Sequence, residues 1–543
     1  MPVSKPNQRS KIIIKIKSKK ILAHRRLRTV DFRHISPFAY CLLHTAYLFR
    51  ILLTALCLLV FTTQINPTIR YVSPTGSNIP PYLSWEDAAN SIQDCIDVSE
   101  FGDTIYVANG IYEEQVVMIT GLSLIGAGTD SCIIDTRDLV NIIEFISVEV
   151  VDSCLFQGFH VIVFDSNDKG FGVRGRGNCI IRLNKIKNSG LGFYVEETGV
   201  DVPIIYNNVI NNVQRGLEIF NASPIVKDNI IYTGINNAAT IIAGIHIGAF
   251  NNNYRPIIDS NYIEISSSVG VGIRKSFGTR PIIKNNIIKL KNTGTFGIYL
   301  SVSDSAIIYN NLIHAEVGRE GISNDGVPFL RLYNNYLTGN FDDQQNLAHV
   351  LLVRSGNDVK QNVVTNAKRG VQAGGTTDLI FQYNNVWNND INYSGFTPDT
   401  TNLSVDPMIV NDDTTQGKLD FHLQMFSPLI DAGDPEMIDK DGSRIDIGLY
   451  GGLYGEVYRY QDLPPKSPRN LTGIVDSATI TISWNQNTEA DFSYYKLFRD
   501  TTAGFTADSS TLVMSLTDTF YTHIIPPDVK SFYYKLTATD NQG

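Results

Sequence analysis

Between Cys132 and about Asn402 the apolar and polar positions repeat one short phrase: a small or apolar head, two β-branched residues, an Asn-rich step, then a second apolar run. Its clearest copies are Pro203-Ile-Ile-Tyr-Asn-Asn208, Pro256-Ile-Ile-Asp-Ser-Asn261, Pro281-Ile-Ile-Lys-Asn-Asn286 and Ala306-Ile-Ile-Tyr-Asn-Asn311. The phrases begin at Cys132, Cys154, Cys179, Pro203, Pro224, Pro256, Pro281, Ala306, Leu330, Asn357 and Ile380, in steps of 21 to 32 residues. A period mostly in the low to middle twenties marks a solenoid. A leucine-rich repeat would need a Leu-x-x-Leu-x-Leu frame and a helical return, and neither is present. Short Ile/Val runs separated by Asn, Gly and Ser are strand and turn chemistry.

The predicted fold is therefore all-β: a right-handed parallel β-helix whose rungs stack about 4.8 Å apart, followed by an incomplete β-sandwich. The paired asparagines at Asn207-Asn208, Asn285-Asn286, Asn310-Asn311, Asn334-Asn335 and Asn384-Asn385 fall at one corner of each rung. Asn tolerates the left-handed backbone of a tight corner, and stacked amides hydrogen-bond along the axis. The domains expected are a basic leader over residues 1–64, a cap with the first strands over 65–131, the repeats over 132–402 and a closing segment over 403–460. A linker over 461–468 and the sandwich over 469–543 complete the chain.

Before the repeats, Ser84 is placed to cap a short amphipathic helix carrying Trp85, Ala88, Ala89, Ile92 and Ile96, which would cover the open end of the bore. Gly102-Asp-Thr-Ile-Tyr-Val107, Gly110-Ile-Tyr112 and Leu122 to Gly128 read as the first strands and corners. After the repeats, Leu463-Pro-Pro-Lys-Ser-Pro468 is a stiff linker. Runs at 470–473, 480–484, 494–499 and 532–538 alternate as sandwich strands, with Trp484 the expected core residue and a last strand still missing at Gly543.

Charge sharpens the picture. Charged residues make up only 18% of the chain and aromatics 10%, which suits a secreted β-rich protein. Residues 1–50 hold twelve Lys/Arg and one acid, which leaves the remainder at a net charge of −20 and a poor partner for nucleic acid. The apolar run Ile51 to Phe61, bounded by Arg50, suits the core of a cleaved secretory signal better than a membrane anchor. Membrane contact is expected only through that leader, were it retained. Cys132, Cys154 and Cys179 head consecutive phrases and should stack, as buried thiols in preference to a disulfide.

Alternation within each rung also draws an outward file of side chains. Second strands of the form Gly-apolar-x-apolar-x place Arg174, Tyr194, Glu218, His246, Arg274, Tyr299, Ser323 and Gln372 in one outward column. Arg176, Glu196, Phe220, Gly248, Ser276, Ser301, Asp325 and Gly374 fall in the next. Aromatic faces stack on sugar rings and Arg pairs with carboxylates, so Arg174, Arg176, Tyr194, Glu196, Phe220, Tyr299, Ser323 and Asp325 are candidate polysaccharide contacts. His246 as base, Glu218 beside it, and Arg274 or Lys275 as the stabilising cation form a candidate lyase-like centre. The extra segments 236–242 and 250–254 would wall it. Asp439, Asp441 and Asp446 have the oxygen density of a calcium loop but lack its full acid frame. Asp342-Asp343 reads as a solvated turn.

The run Trp85, Ala88-Ala89, Ile92-Gln93, Gly102 to Val107 and Gly110-Ile-Tyr112 resembles the N-terminal part of bacterial pectate-lyase-like β-helix proteins. Asp406-Pro407, Phe421-His-Leu-Gln424, Ser427 to Asp434, Asp441 to Gly448 and Tyr450-Gly-Gly452 are similar to the closing segment of the same group. The group mixes lyases, hydrolases, epimerases and proteins with no known reaction, and this chain lacks the hydrolase and epimerase signatures, so the resemblance implies architecture and not a reaction. The C-terminal strands resemble a fibronectin type III module. Two functions are carried forward: a monomeric secreted or cell-surface protein that binds, and in one form cleaves, an extracellular polysaccharide, or a non-catalytic adhesin or scaffold.

Overall fold

The computed structural model describes residues 67–542 other than 140–145, 164–170, 188–189, 197–200, 235–241, 302–304, 342–349, 353–355, 375–377, 413–417 and 527–530. The basic leader, Asp342-Asp343 and most of the 236–242 segment lie outside the described residues. Each repeat supplies three short strands, and each strand pairs in parallel with its counterparts one repeat away. Three sheets of thirteen, twelve and twelve strands result among the described residues, wound as a right-handed parallel β-helix. One turn runs through Ile204–Tyr206 in the first sheet, Val209–Val213 in the second and Arg215–Phe220 in the third.

Alternation decides what fills the bore. Ile181, Ile205, Val226, Ile258, Ile283, Ile308 and Leu332 are successive register partners in the first sheet, and all are fully buried. Each such side chain contributes about 1.5–3 kcal/mol by leaving water. The glycines near the start of the third-sheet strands at Gly172, Gly192, Gly216, Gly244, Gly272 and Gly297 are packing requirements. A Cβ on Gly244 would lie 2.4 Å from Ile263 Cγ2 and 2.6 Å from the Gly272 carbonyl oxygen.

The corner between first and second sheets carries the strongest polar feature. Its first residue takes the left-handed backbone, with φ of 54° at Asn207, 55° at Asn285, and 53° at Asn310 and Asn334. Its second residue is an Asn belonging to a continuous column, buried at Asn184, Asn208, Asn229, Asn261, Asn286, Asn311, Asn335, Asn362 and Asn384 and ending at the half-buried Asn402. Each amide Nδ2 donates to the Oδ1 of the next at 2.9–3.2 Å. The same Oδ1 also accepts the backbone N–H of the preceding member, as from Asn261 to Asn286 at 3.0 Å.

Several details differ from the sequence reading. In the pair Asn384-Asn385 the first member joins the column, because Leu379 heads that phrase in place of Ile380: Ile380 N–H donates to the Asn357 carbonyl. Cys132 begins the second-sheet strand Cys132–Asp135, opposite Gly110, so it does not stack on Cys154. Only Cys154 and Cys179 occupy consecutive heads of the first sheet, and all four described cysteines are free and buried. The helix is confined to Ile92–Asp97 and is capped by Ser91, whose side chain accepts from Asp94 N–H. Glu114 supplies further acceptors to the N–H groups of Ile92 and Gln93 at 2.7 and 2.9 Å. Trp85 lies outside the helix, half-exposed against Tyr71 with ring centroids 4.6 Å apart.

The closing segment folds back along the asparagine corner. Asn310 Nδ2 donates to the carbonyls of Leu449 and Gly451 at 2.6 and 2.8 Å, and Asn334 Nδ2 to those of Asp446 and Gly448 at 2.9 and 3.1 Å. Leu312, Tyr336, Val363, Phe421, Leu429 and Ile447 form a second apolar core there. The C-terminal strands make two three-stranded antiparallel sheets around Trp484 and Tyr495, a sandwich-like module. Its strands Leu512–Leu516 and Phe520–Ile524 were not foreseen from the sequence.

Removing one amide from the column strands its neighbours' buried donors. Asn286→Ala is expected to lower stability by about 3 kcal/mol, read as a fall in the urea midpoint. Lys289→Ala, which breaks only the partly exposed pair with Glu316 at 2.8 Å, should cost under about 1 kcal/mol. Equal effects from the two would remove the column from its structural role.

Candidate functional site

The third sheet holds the outward file in unbroken register. Arg174 stands opposite Tyr194, Tyr194 opposite Glu218, Glu218 opposite His246, His246 opposite Arg274, Arg274 opposite Tyr299 and Tyr299 opposite Ser323. The register continues through Leu351, Gln372 and Ser394. Glu149 precedes Arg174 in the same file. Sequence reading missed Glu149 because its strand, Ile146–Val150, has no opening glycine to announce it.

Side chains in the file connect across rungs. Arg174 donates to Glu149 Oε1 at 2.7 Å, and Arg176 lies 3.4 Å from Glu149 and 3.6 Å from Glu196. Phe171, Tyr194 and Phe220 line a shallow cleft of about 550 Å³ together with Arg174, Glu196, Arg215 and Glu218. Phe220 meets the exposed Phe250 ring edge-on at 4.9 Å. Further along, the Arg274 guanidinium lies 5.8 Å from the centre of the Tyr299 ring, and Tyr299 Oη donates to Asp325 at 3.0 Å. Ser323 is in the file but buried. It bonds to Glu320, whose carboxyl burial pushes above its usual range.

The central residues form a relay. Arg215 Nη1 donates to Glu218 Oε2 at 2.7 Å, His246 Nδ1 meets Glu218 Oε1 at 2.8 Å, and His246 Nε2 meets Ser276 Oγ at 2.6 Å. Burial alone would raise the Glu218 carboxyl, but its contacts with His246 and Arg215 outweigh burial and hold it below the usual carboxylate range. An ionised carboxylate only accepts, so the imidazole proton on that side belongs to Nδ1. In the neutral ring Nε2 is then the acceptor for the Ser276 hydroxyl. Arg215 and Ser276 were outside the predicted catalytic set, although Ser276 was already in the second outward column.

Lys275 requires a correction. Its register partners are Ile247 and Leu300, both core residues, and it is fully buried on the bore side of the strand. Its neighbour Arg274 shares the outward face with His246, and Lys275 does not. The alternation that points Arg274 outward sends Lys275 inward.

The three aspartates proposed for calcium serve as hydrogen-bond acceptors within the closing segment. Asp439 accepts the N–H groups of Asp446 and Gly452, and Asp441 accepts from Ser443 N–H at 2.9 Å and its hydroxyl at 2.7 Å. Asp446 accepts from Asp431 N–H at 2.8 Å and from Tyr460 Oη at 2.9 Å. Among the described residues no group of three or more His, Cys, Asp or Glu side chains is arranged to hold a metal.

The family model described as a right handed beta helix region matches residues 169–341, the stretch that carries the file from Arg174 to Ser323. No curated protein matches the chain. Among solved structures it is similar to pectate lyase Pel9A, at 16% identity over 72% of this chain and 98% of that one, with a TM-score of 0.38. It is also similar to XylC in complex with xylose, at 13% identity over 55% and 75% of the two chains and a TM-score of 0.39. The A-module of the Azotobacter vinelandii mannuronan C-5 epimerase AlgE6 gives 14% identity, 58% and 94% coverage, and a TM-score of 0.35.

Burial pushes the Asp446 carboxyl up to about 6 from an ordinary 3.8. A folded-state value above the unfolded one means the group's contribution is fully present below about pH 4 and is lost as pH rises through about 6. Asp446→Asn should therefore remove roughly 2 kcal/mol of the stability loss between pH 4 and pH 7, measured by thermal unfolding across that range. A pH slope identical to that of the parent protein would contradict the assignment.

Proposed function

We propose that the outward face of the third sheet binds a polysaccharide, in a secreted or cell-surface protein. The observation that carries this reading is the unbroken file from Glu149 to Ser323, in which aromatic, acidic and basic side chains follow one another at one-rung steps. Each step is about 4.8 Å, so the file offers contacts along a linear chain rather than to a single small molecule. Phe171, Tyr194 and Phe220 supply ring faces for sugar stacking, and Arg174, Arg176, Glu196 and Arg215 supply hydrogen bonds around them. The low charge content, the basic start and the apolar run Ile51 to Phe61 support the extracellular setting.

The scaffold reading is favoured by one observation: charges of the file are already paired, Arg174 with Glu149 in the file and Glu218 with Arg215 on its own strand. Such pairing stiffens a face without any ligand. The two readings separate by retention in gels containing neutral or acidic polysaccharides. Tyr194→Ala and Phe220→Ala should each weaken retention about tenfold, which corresponds to about 1.4 kcal/mol. Tyr232→Ala, on the second sheet, should leave it unchanged. Retention of no glycan across a broad panel would leave the scaffold.

A further inference from the structure

We infer that Ser276, His246 and Glu218 form a nucleophilic relay that hydrolyses acyl esters carried on the bound polysaccharide. The inference rests on the glycan reading for its substrate, and on its own geometry for its chemistry. Serine is inert as a nucleophile until a base takes its proton, and the base must be oriented by a third group. Here the Ser276 Oγ to His246 Nε2 distance is 2.6 Å and the His246 Nδ1 to Glu218 Oε1 distance is 2.8 Å. Arg215 holds the other Glu218 oxygen at 2.7 Å, which fixes the carboxylate's orientation.

The same contacts argue against other uses of these residues. As general base of a lyase, His246 would need an open Nε2, but the Ser276 hydroxyl occupies it. As general acid of a glycosidase, Glu218 would need a proton, but His246 and Arg215 keep it ionised. What the set can do directly is deliver an alkoxide from Ser276.

The surroundings suit an acyl group. Ser276 N–H donates to the Ile247 carbonyl at 2.8 Å, which carries the strand pairing one residue further and sets Ser276 beside Gly248. A Cβ on Gly248 would meet only Phe220 Cδ2, at 3.8 Å, so the sheet has a hollow between Phe220 and Ser276. The exposed rings of Phe250 and Phe277 stand at the end of the same two strands. Arg274 is the register partner of His246 and lies two residues before Ser276 on the same face. Its guanidinium lies 5.8 Å from the centre of the Tyr299 ring and is the cation that this face offers to a developing oxyanion.

The reaction proceeds in two halves. Ser276 Oγ bonds to the ester carbonyl carbon as its proton passes to His246 Nε2, and the resulting oxyanion faces Arg274. The bond from carbonyl carbon to sugar oxygen then breaks, and the sugar oxygen takes the proton from His246. Water adds to the acyl carbon and gives a proton to His246 Nε2; the bond from that carbon to Ser276 Oγ then breaks as His246 returns the proton to Oγ, which releases the carboxylic acid and restores Ser276.

The test uses the mature chain with an O-acetylated polysaccharide, following acetate release, and a fluorophosphonate probe, following intact mass. Acetate release that falls at least about 1,000-fold in Ser276→Ala, with loss of the probe adduct and unchanged glycan retention in gels, is the expected result. Arg274→Gln should lower kcat about 100-fold with little change in KM. Gly248→Leu, which fills the hollow and leaves the relay intact, should block acetate release and covers the case in which Ser276→Ala does not fold. Retention of the glycan with neither acetate release nor adduct would overturn the relay and leave the binding reading standing. Acetate release from p-nitrophenyl acetate without glycan retention would overturn the binding reading and keep the relay. An adduct that survives Ser276→Ala would overturn the assignment of the nucleophile.

Discussion

The asparagine column is the constraint on which everything else in the molecule hangs. A parallel solenoid must turn a corner on each side of every strand, and each corner leaves backbone groups that the sheets cannot satisfy. The column meets that need at one corner with a single side chain per rung. The Asn286 amide serves the Ile258 carbonyl at 3.0 Å, the Lys284 carbonyl at 2.8 Å and Asn311 Oδ1 at 2.9 Å. Its own Oδ1 takes both the backbone and side-chain N–H groups of Asn261 at 3.0 Å. Because every member is both donor and acceptor, a rung can be neither skipped nor shifted by one residue without stranding buried polar groups.

That rigidity is what gives the third sheet its chemistry. A one-residue slip would turn Glu218, His246 and Arg274 into the bore and bring Ile219, Ile247 and Lys275 to the surface. With the register locked, side chains from three rungs meet at hydrogen-bonding distance although 58 residues separate Glu218 from Ser276. The glycine column beneath them serves the same end. Close approach of third-sheet strands to the isoleucines of the second sheet leaves no room for a Cβ, so the strand backbone is seated hard against the core.

The second apolar core shows how the remaining surface is managed. A solenoid exposes its corners, and polar amides such as those of Asn310 and Asn334 would otherwise face water. The closing segment returns along them and accepts their hydrogen bonds with its own carbonyls. It also inserts Phe421 against Tyr336, with ring centroids 4.8 Å apart. The burial that raises the Asp446 carboxyl is a consequence of this packing, since the segment folds its own acids inward as acceptors for chain turns.

Sequence alone determined the solenoid, its asparagine corner and the outward file, because a two-residue alternation repeated at a near-constant period maps directly onto sheet faces and rungs. It misread Cys132, the head at Leu379 and the extent of the cap helix, because apolar phrases look alike in all three sheets and helical spacing in Ser84 to Asn90 competes with turn chemistry. The interior place of Lys275 was already implied by the alternation that sends Arg274 and Ser276 outward, and its selection as a surface cation ignored that pattern. Only the tertiary structure decided that Ser276 reaches His246, because that is a diagonal contact between rungs that no linear pattern encodes.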